Sequence, residues 1–339
     1  MNKQTSNVAA LSLAVTLLST ACGHDTSPIA DSQPTAGSGN AHAGSASTRA
    51  GSSGVSTPTA GSGGTTSAPA TDDEALFQEG LALYDAQQFA EAVAKFEQLW
   101  AQFPDSTRRD NAGYLAGRSL YELGDDAGAI PLLEAMRKAY PDSLYAPSAA
   151  YFTGRARFKL GDFAAAIADF TAGSADPAAT YADNSQYYLG RSHYETGAFD
   201  VGKLELLKVS TQYPDSSYRD NAFYYAGRCD FDGGKFAAAI TSFDQVLTDA
   251  TSTYSDDATF YKARAYYSDG KLAQALTGFQ GLRSSFAASQ YADNASYFEL
   301  RIRVDQGTCA EASKILAELT ASGSSYAANG QTYMQQNGC

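Results

Sequence analysis

The sequence predicts an all-α solenoid of about seven helix-turn-helix units, preceded by a leader without a core. Three observations carry this. Arg recurs at Arg118, Arg155, Arg191, Arg228, Arg264 and Arg301, in steps of 37, 36, 37, 36 and 37 residues. Gly keeps the same beat at Gly124, Gly161, Gly197, Gly234, Gly270 and Gly307. Between these marks, apolar residues at i+3 and i+4 spacing fit two helices per unit. Two registers with one period mean an internal repeat, and such repeats stack into extended surfaces more often than they build catalytic pockets.

The elements of one unit follow from local chemistry. From Tyr218 to Thr253, Tyr218-Arg219-Asp220-Asn221 opens the first helix, since Asp there can satisfy free N–H groups. Ala222 to Phe231 is apolar on more than one face, and Gly233-Gly234 ends the helix because Gly accepts a left-handed cap. Phe236 to Ile240 starts the second helix, and Phe243, Val246 and Leu247 continue its apolar stripe. Pro104-Asp105-Ser106, Pro141-Asp142-Ser143 and Pro214-Asp215-Ser216 mark turns between units, where Pro stops a helix and Asp or Ser starts a turn. Gly173 and Pro177 predict a short second helix in the third unit, and Pro131 predicts a kink in that of the second.

These marks together resemble the tetratricopeptide repeat, over roughly residues 75–330. That family places a small residue in the first helix, matched by Gly80, Gly117, Gly154, Gly190 and Gly227. It places an aromatic after it, matched by Tyr84, Tyr121, Phe158, Tyr194, Phe231 and Tyr267. Ala in the second helix is matched by Ala92, Ala129, Ala166, Ala239, Ala275 and Ala312, with Gly202 departing in the fourth unit. The last two units depart with Ala263 and Leu300 where earlier ones have Gly, and the seventh has Cys309 in place of an aromatic. The resemblance implies a right-handed superhelix over residues 73–339. A closing helix near Tyr326 to Gln336, pinned by a Cys309–Cys339 disulfide, would cover the open end. Cys229 aligns with Ser119, Ala156, Ser192 and Ala265, a position that wants a small buried side chain.

Residues 1–21 read as an export signal: Lys3 supplies a positive charge, and Ala9 to Leu18 is apolar but short of the ~20 residues a span needs. Ser19-Thr20-Ala21-Cys22 resembles the lipobox of bacterial lipoproteins, which implies diacylation at Cys22. Ser19 departs from the Leu usual there, and Ser-x-Ala also suits ordinary signal peptidase, so lipidation and plain secretion both stand. Gly23 after the Cys favours the periplasmic side of the outer membrane, by the enterobacterial lipoprotein rule. Residues 22–72 are dominated by Gly, Ser, Thr, Ala and Pro and are expected to be a disordered tether. Its root-mean-square span as a flexible coil is roughly 35–42 Å.

Within the first helices, Asn, Tyr, Arg and an aromatic recur in steps of 3, 4 and 3. They are Asn111, Tyr114, Arg118 and Tyr121; Asn184, Tyr187, Arg191 and Tyr194; Asn221, Tyr224, Arg228 and Phe231. Tyr151, Arg155, Arg264, Tyr297 and Arg301 extend the pattern. This spacing puts them on one helix face, which in the tetratricopeptide family lines the concave groove. Two readings compete. The ladder holds a partner's segment, since Tyr and Arg are enriched in hot spots. Or it is architectural, each Arg stacking on a Tyr of the next unit or pairing with Asp183, Asp220 or Asp293. Repetition in every unit favours architecture, and the two can coexist.

A net charge of −13 makes nucleic acid a poor partner. His193 is the one His after the leader, and no phosphate loop, dinucleotide fingerprint, zinc motif or nucleophile elbow is present. The expectation is a non-catalytic scaffold without cofactor or metal, meeting the membrane only through its lipid anchor and binding envelope proteins. The Tyr-Pro-Asp-Ser turns and lipoprotein-type start resemble two envelope families. One is the periplasmic repeat protein of the Tol-Pal system, which coordinates constriction with wall synthesis. The other is the repeat lipoprotein of the outer-membrane barrel-assembly machine. The alternative is a carrier or sensor that takes a ligand or wall fragment through the Tyr/Arg groove.

Overall fold

A computed structural model describes residues 72–339; the expectations for the signal, Cys22 and nearly all of the tether lie outside the described residues. Among the described residues the chain forms fifteen α-helices. They are α1 (Asp72–Asp85), α2 (Phe89–Gln102), α3 (Arg109–Glu122), α4 (Asp126–Ala139), α5 (Ala146–Lys159), α6 (Phe163–Gly173), α7 (Ala182–Glu195) and α8 (Phe199–Gln212). Then follow α9 (Arg219–Asp232), α10 (Phe236–Val246), α11 (Ser255–Ser268), α12 (Leu272–Ser285), α13 (Ala292–Asp305), α14 (Cys309–Ala321) and α15 (Ala327–Gln336). Each helix through α14 packs on its predecessor, and α15 packs on both α13 and α14. First helices also meet one another, α3 with α5, α5 with α7, α7 with α9 and α9 with α11. The result is a solenoid of seven helix pairs closed by one extra helix.

The periodic glycines are the turns within pairs. Gly124, Gly161, Gly197, Gly234, Gly270 and Gly307 hold φ between +71° and +81°, the left-handed region where a Cβ is costly. In the second pair, Gly124 N–H donates to Tyr121 O and Asp125 N–H to Leu120 O, so the turn satisfies carbonyls left over at the helix end. The first pair makes the same turn with Gln87, at φ 59°.

The other glycine register sets the approach of the two helices. A Cβ on Gly227 would lie 2.5 Å from Cε1 of the fully buried Phe243. In the sixth pair the small residue changes sides: Ala263 stands on α11, and a Cβ on Gly278 of α12 would lie 2.8 Å from its Cβ. In the seventh, Leu300 occupies the position and Gly330 of α15 makes room for it, with only 3.0 Å from an added Cβ to Leu300 Cδ1.

The 36-residue steps have a structural cause. α6 and α10 contain 11 residues each, whereas α2, α4, α8 and α12 contain 14. The short α6 fits Gly173 and Pro177. The end of α10 differs from the sequence expectation, which carried its stripe through Leu247. Leu247 is instead the cap, and Thr248 and Asp249 donate N–H bonds three residues back, to Gln245 and Val246, tightening the chain into a turn. α4 runs through Pro131 to Ala139 as one helix, with Pro131 in its first half.

At the far end, Leu300, Val304, Ala312, Ile315, Leu319 and Met334 form a cluster that joins α13, α14 and α15. A disulfide joins Cys309 and Cys339, whose Cα atoms are 5.2 Å apart. Cys229 is 1% exposed, and burial, with Asp230 next, pushes its thiol up to about 12. None of the described helices is long and apolar enough to cross a membrane.

Candidate functional site

The Arg and Tyr marks converge on one structure, a ladder that runs between the first helices. Each Tyr sits one helical turn before its Arg, so the two side chains meet on the same face. Arg118 Nη1 reaches Tyr114 Oη at 3.5 Å, Arg155 reaches Tyr151 at 3.0 Å, Arg191 reaches Tyr187 at 3.2 Å and Arg228 reaches Tyr224 at 3.2 Å. In each case the guanidinium donates to the phenol oxygen.

Each guanidinium also crosses to an aromatic ring of the next pair. Arg155 lies 4.1 Å from the ring centre of Tyr188, Arg191 3.9 Å from Tyr225 and Arg228 4.1 Å from Tyr261. Arg118 lies over Phe152 at 5.1 Å, Arg264 over Phe298 at 5.4 Å and Arg301 over Tyr333 of the closing helix at 4.7 Å. Most also reach back to the preceding unit. Arg191 lies 5.2 Å from Phe158, Arg228 5.6 Å from Tyr194, Arg264 5.1 Å from Phe231 and Arg301 5.4 Å from Tyr267. One guanidinium thus touches three consecutive pairs.

The ladder tyrosines stack as well. Tyr151 lies against Tyr181 at 4.7 Å and 7°, and Tyr187 against Tyr218 at 4.7 Å and 29°. Tyr181 and Tyr218 stand at the N-caps of α7 and α9, in the turns between pairs. Each turn therefore delivers a ring to the preceding pair.

Burial decides what the ladder can touch. Tyr187 and Tyr224 are 0% exposed, and Tyr114, Tyr151, Arg155, Arg191 and Asn221 are also buried. Burial pushes the Tyr114, Tyr151 and Tyr224 hydroxyls upward, so these phenols stay neutral. Asn111, Arg118, Asn184, Tyr194, Arg228, Arg264, Tyr297 and Arg301 are half-buried and reach the surface at an edge. Carboxylates meet that edge. Arg118 lies 3.6 Å from Glu122, Arg191 3.1 Å from Glu195 and Arg228 3.3 Å from Asp232. The Tyr194 hydroxyl donates to Asp232 at 2.6 Å while accepting from Arg228 at 2.7 Å. Nε of Arg155 and of Arg301 is buried without a hydrogen bond, and the rings of Tyr188 and Tyr333 lie against these guanidinium groups.

Of the aspartates proposed as partners of the ladder Arg residues, Asp183 and Asp220 bond elsewhere, and Asp293 is exposed. Asp183 accepts from Ser216 Oγ at 2.6 Å, tying the fourth pair to the turn before the fifth. Asp220 lies 3.5 Å from Arg219 beside it. The stacking partners Phe152, Tyr188, Tyr225, Tyr261 and Phe298 escaped the sequence reading. Their signal was present as paired aromatics, in Tyr151-Phe152, Tyr187-Tyr188, Tyr224-Tyr225, Phe260-Tyr261 and Tyr297-Phe298.

Two other places bear on function. His193 is half-buried on α7, with its pKa lowered by burial and Glu205 opposing. A cleft of about 410 Å³ opens between the end of α10 and helices α11 and α12, beside the Ala263–Gly278 crossing. Tyr266, Thr259, Gln274 and Lys262 line it, and Lys262 pairs with Asp244 at 2.5 Å. Among the described residues no group of three or more His, Cys, Asp or Glu is arranged to hold a metal ion.

Comparison with known proteins agrees with this architecture. Tetratricopeptide-repeat family models match residues 83–150 and residues 224–292. No curated protein matches the chain. Among solved structures, the C-terminal part of a TPR repeat-containing protein from Cytophaga hutchinsonii is similar at 18% identity and a TM-score of 0.59, covering 75% of this chain and 98% of that one. A tetratricopeptide repeat protein from Parabacteroides merdae is similar at 12% identity and a TM-score of 0.50, covering 79% of this chain and 99% of that one. Helix pairs, turn glycines and both matched stretches make the described part of this chain a tetratricopeptide-repeat solenoid.

Proposed function

We propose that the chain is a non-catalytic protein–protein interaction scaffold of the bacterial cell envelope. In this reading residues 1–21 direct export, Cys22 carries lipid, residues 22–72 tether and residues 73–339 display a surface on the periplasmic side of the outer membrane. One observation supports the scaffold most. The guanidinium and aromatic groups are used in joining repeat to repeat, which leaves a stiff array rather than an open set of reactive groups. A partner segment then meets the half-buried edge, where Arg118 stands beside Glu122, and Tyr194 and Arg228 beside Asp232. Its service in outer-membrane assembly or in coordinating constriction with wall synthesis is the finer form of the same proposal.

The test is photo-crosslinking in cells from Tyr194 and Tyr297, with a probe at Lys208 on the outer surface as control. The same envelope protein captured from both edge positions and not from Lys208 supports the reading. Capture from Lys208 alone moves the partner to the other face and ends the edge proposal. Radiolabelled palmitate incorporated by the natural chain and lost in Cys22→Ala tests the anchor separately.

A second reading, a carrier for a small ligand, has the 410 Å³ cleft in its favour. That volume is within the range of ligand sites, and its lining mixes apolar walls with a few polar groups. Isothermal titration with wall fragments separates the readings: binding lost in Gln274→Ala supports the carrier, and no heat at all leaves the scaffold.

A further inference from the structure

One ladder Arg has lost the polar partners that the others keep. The Tyr one turn before it gives Arg118, Arg155, Arg191 and Arg228 a hydroxyl acceptor. Arg301 reaches the Tyr333 hydroxyl instead. One turn after it, Glu122, Glu195 and Asp232 give Arg118, Arg191 and Arg228 a carboxylate. In α11 both positions change: Phe260 stands at the place of the Tyr, and Ser268 at the place of the carboxylate. Among the described residues Arg264 is left with ring contacts only.

The carboxylates at the same register are engaged elsewhere. Asp232 of the preceding unit holds Arg228 and the Tyr194 hydroxyl. Asp305 of the following unit accepts from the Tyr333 hydroxyl at 2.6 Å. Asp269, in the turn after α11, pairs with Lys271 at 2.8 Å. Meanwhile the Arg264 guanidinium is held in place by rings from three consecutive pairs, at 5.1 Å from Phe231, 5.8 Å from Phe260 and 5.4 Å from Phe298. Ring faces attract the cation, but they are weak acceptors for its N–H groups. Arg264 is half-buried and Ser268 is exposed, so the donors that lack an acceptor face solvent. A planar guanidinium meets a carboxylate through two parallel N–H···O bonds. Apolar walls beside it strengthen such a pair relative to one in open water.

We propose that Arg264 and Ser268 form a carboxylate-binding seat: a carboxylate of a partner's segment docks where Glu122, Glu195 and Asp232 sit in other units, taking two bonds from the guanidinium and one from the Ser268 hydroxyl. Its use in the cell rests on the reading of this edge as the partner surface; its chemistry does not. In a chain of net charge −13 an acidic segment is repelled over most of the surface. A guanidinium without a carboxylate of its own therefore sets the register at which such a segment docks.

The full chain labelled with nitrogen-15 arginine, followed through its Nε–H resonances at constant ionic strength, tests this with two probes. N-acetylglutamate N-methylamide offers a side-chain carboxylate, and N-acetylalanine a C-terminal one. The expected result is a saturable shift at Arg264 with an affinity at least ~10-fold above that at Arg228, whose carboxylate is already in place. The tighter probe names the source of the carboxylate. The neutral N-acetylglutamine N-methylamide is expected to give no shift. Ser268→Glu, a change at an exposed position, is expected to fill the seat from within and weaken the tighter probe at least ~10-fold. No saturable shift at Arg264, equal affinity at Arg228, an equal response to the glutamine probe, or undiminished binding in Ser268→Glu overturns the proposal. Carboxylate binding at Arg264 without capture from Tyr194 and Tyr297 in cells upholds the seat and overturns the edge reading alone.

Discussion

The guanidinium of Arg191 lies 3.9 Å from the ring centre of Tyr225, across the boundary between the fourth and fifth helix pairs. Tyr187, one turn before it, accepts its hydrogen bond, and Phe158 of the third pair lies 5.2 Å away. An isolated fourth pair would lack both the Phe158 and the Tyr225 ring, so neighbours are stabilised by one another. Stability of a repeat array is then a sum of unit terms and boundary terms, and the ladder belongs to the boundary terms.

The first pair makes its internal turn with Gln87 at φ 59°, where six later pairs use Gly. A side chain in that region costs roughly 1–2 kcal/mol. Gln87→Gly should therefore stabilise the N-terminal pair by about 1 kcal/mol, less the added chain entropy of Gly. A rise in the urea midpoint of α1–α2 exchange checks it, and a fall would place the strain elsewhere.

Cys229 lies at the crossing of α8 and α9, and a Cβ on Gly202 would be 3.3 Å from its Sγ. Burial keeps its thiol protonated to about pH 12, so little thiolate exists near neutrality. Labelling with iodoacetamide at about pH 8 should be at least ~100-fold slower in the folded chain than in urea. Equal rates would mean that this crossing opens readily.

The bridge from Cys309 to Cys339 spans 30 residues and holds the closing helix. Chain entropy gives such a loop about 3–4 kcal/mol. Because α15 touches α13 and α14, the loss in Cys309→Ser/Cys339→Ser should be local. Exchange should rise in α15 and at the end of α13 while α3 to α9 keep their protection. Uniform loss along the chain would show instead that the array unfolds as one unit.

Much of this fold was legible because glycine chemistry is local. The turn register from Gly124 to Gly307 marks left-handed turns, and the register from Gly80 to Gly227 marks close crossings. The shortening of α10 was harder to read, since Leu247 is apolar and continues the stripe although the helix has ended. The ladder was half legible. Steps of 3 and 4 find Tyr187 and Arg191, which share one helix face. Tyr188 is rotated by about a quarter turn onto another face, and its role depends on how the preceding pair docks, which spacing within one helix does not encode. Tyr181 and Tyr218 stack across units for the same reason.

The measurement that tests the account most directly is a double-mutant cycle across one boundary, with Arg191→Met, Tyr225→Leu and the pair, followed by urea unfolding. A buried cation over a ring contributes up to about 2 kcal/mol, and neighbours in contact couple by roughly 0.5–3 kcal/mol. The account predicts a coupling of at least ~1 kcal/mol, with each single change costing more than the same change at an exposed Arg. A coupling within ~0.3 kcal/mol of zero would contradict the claim that the ladder fuses repeat to repeat.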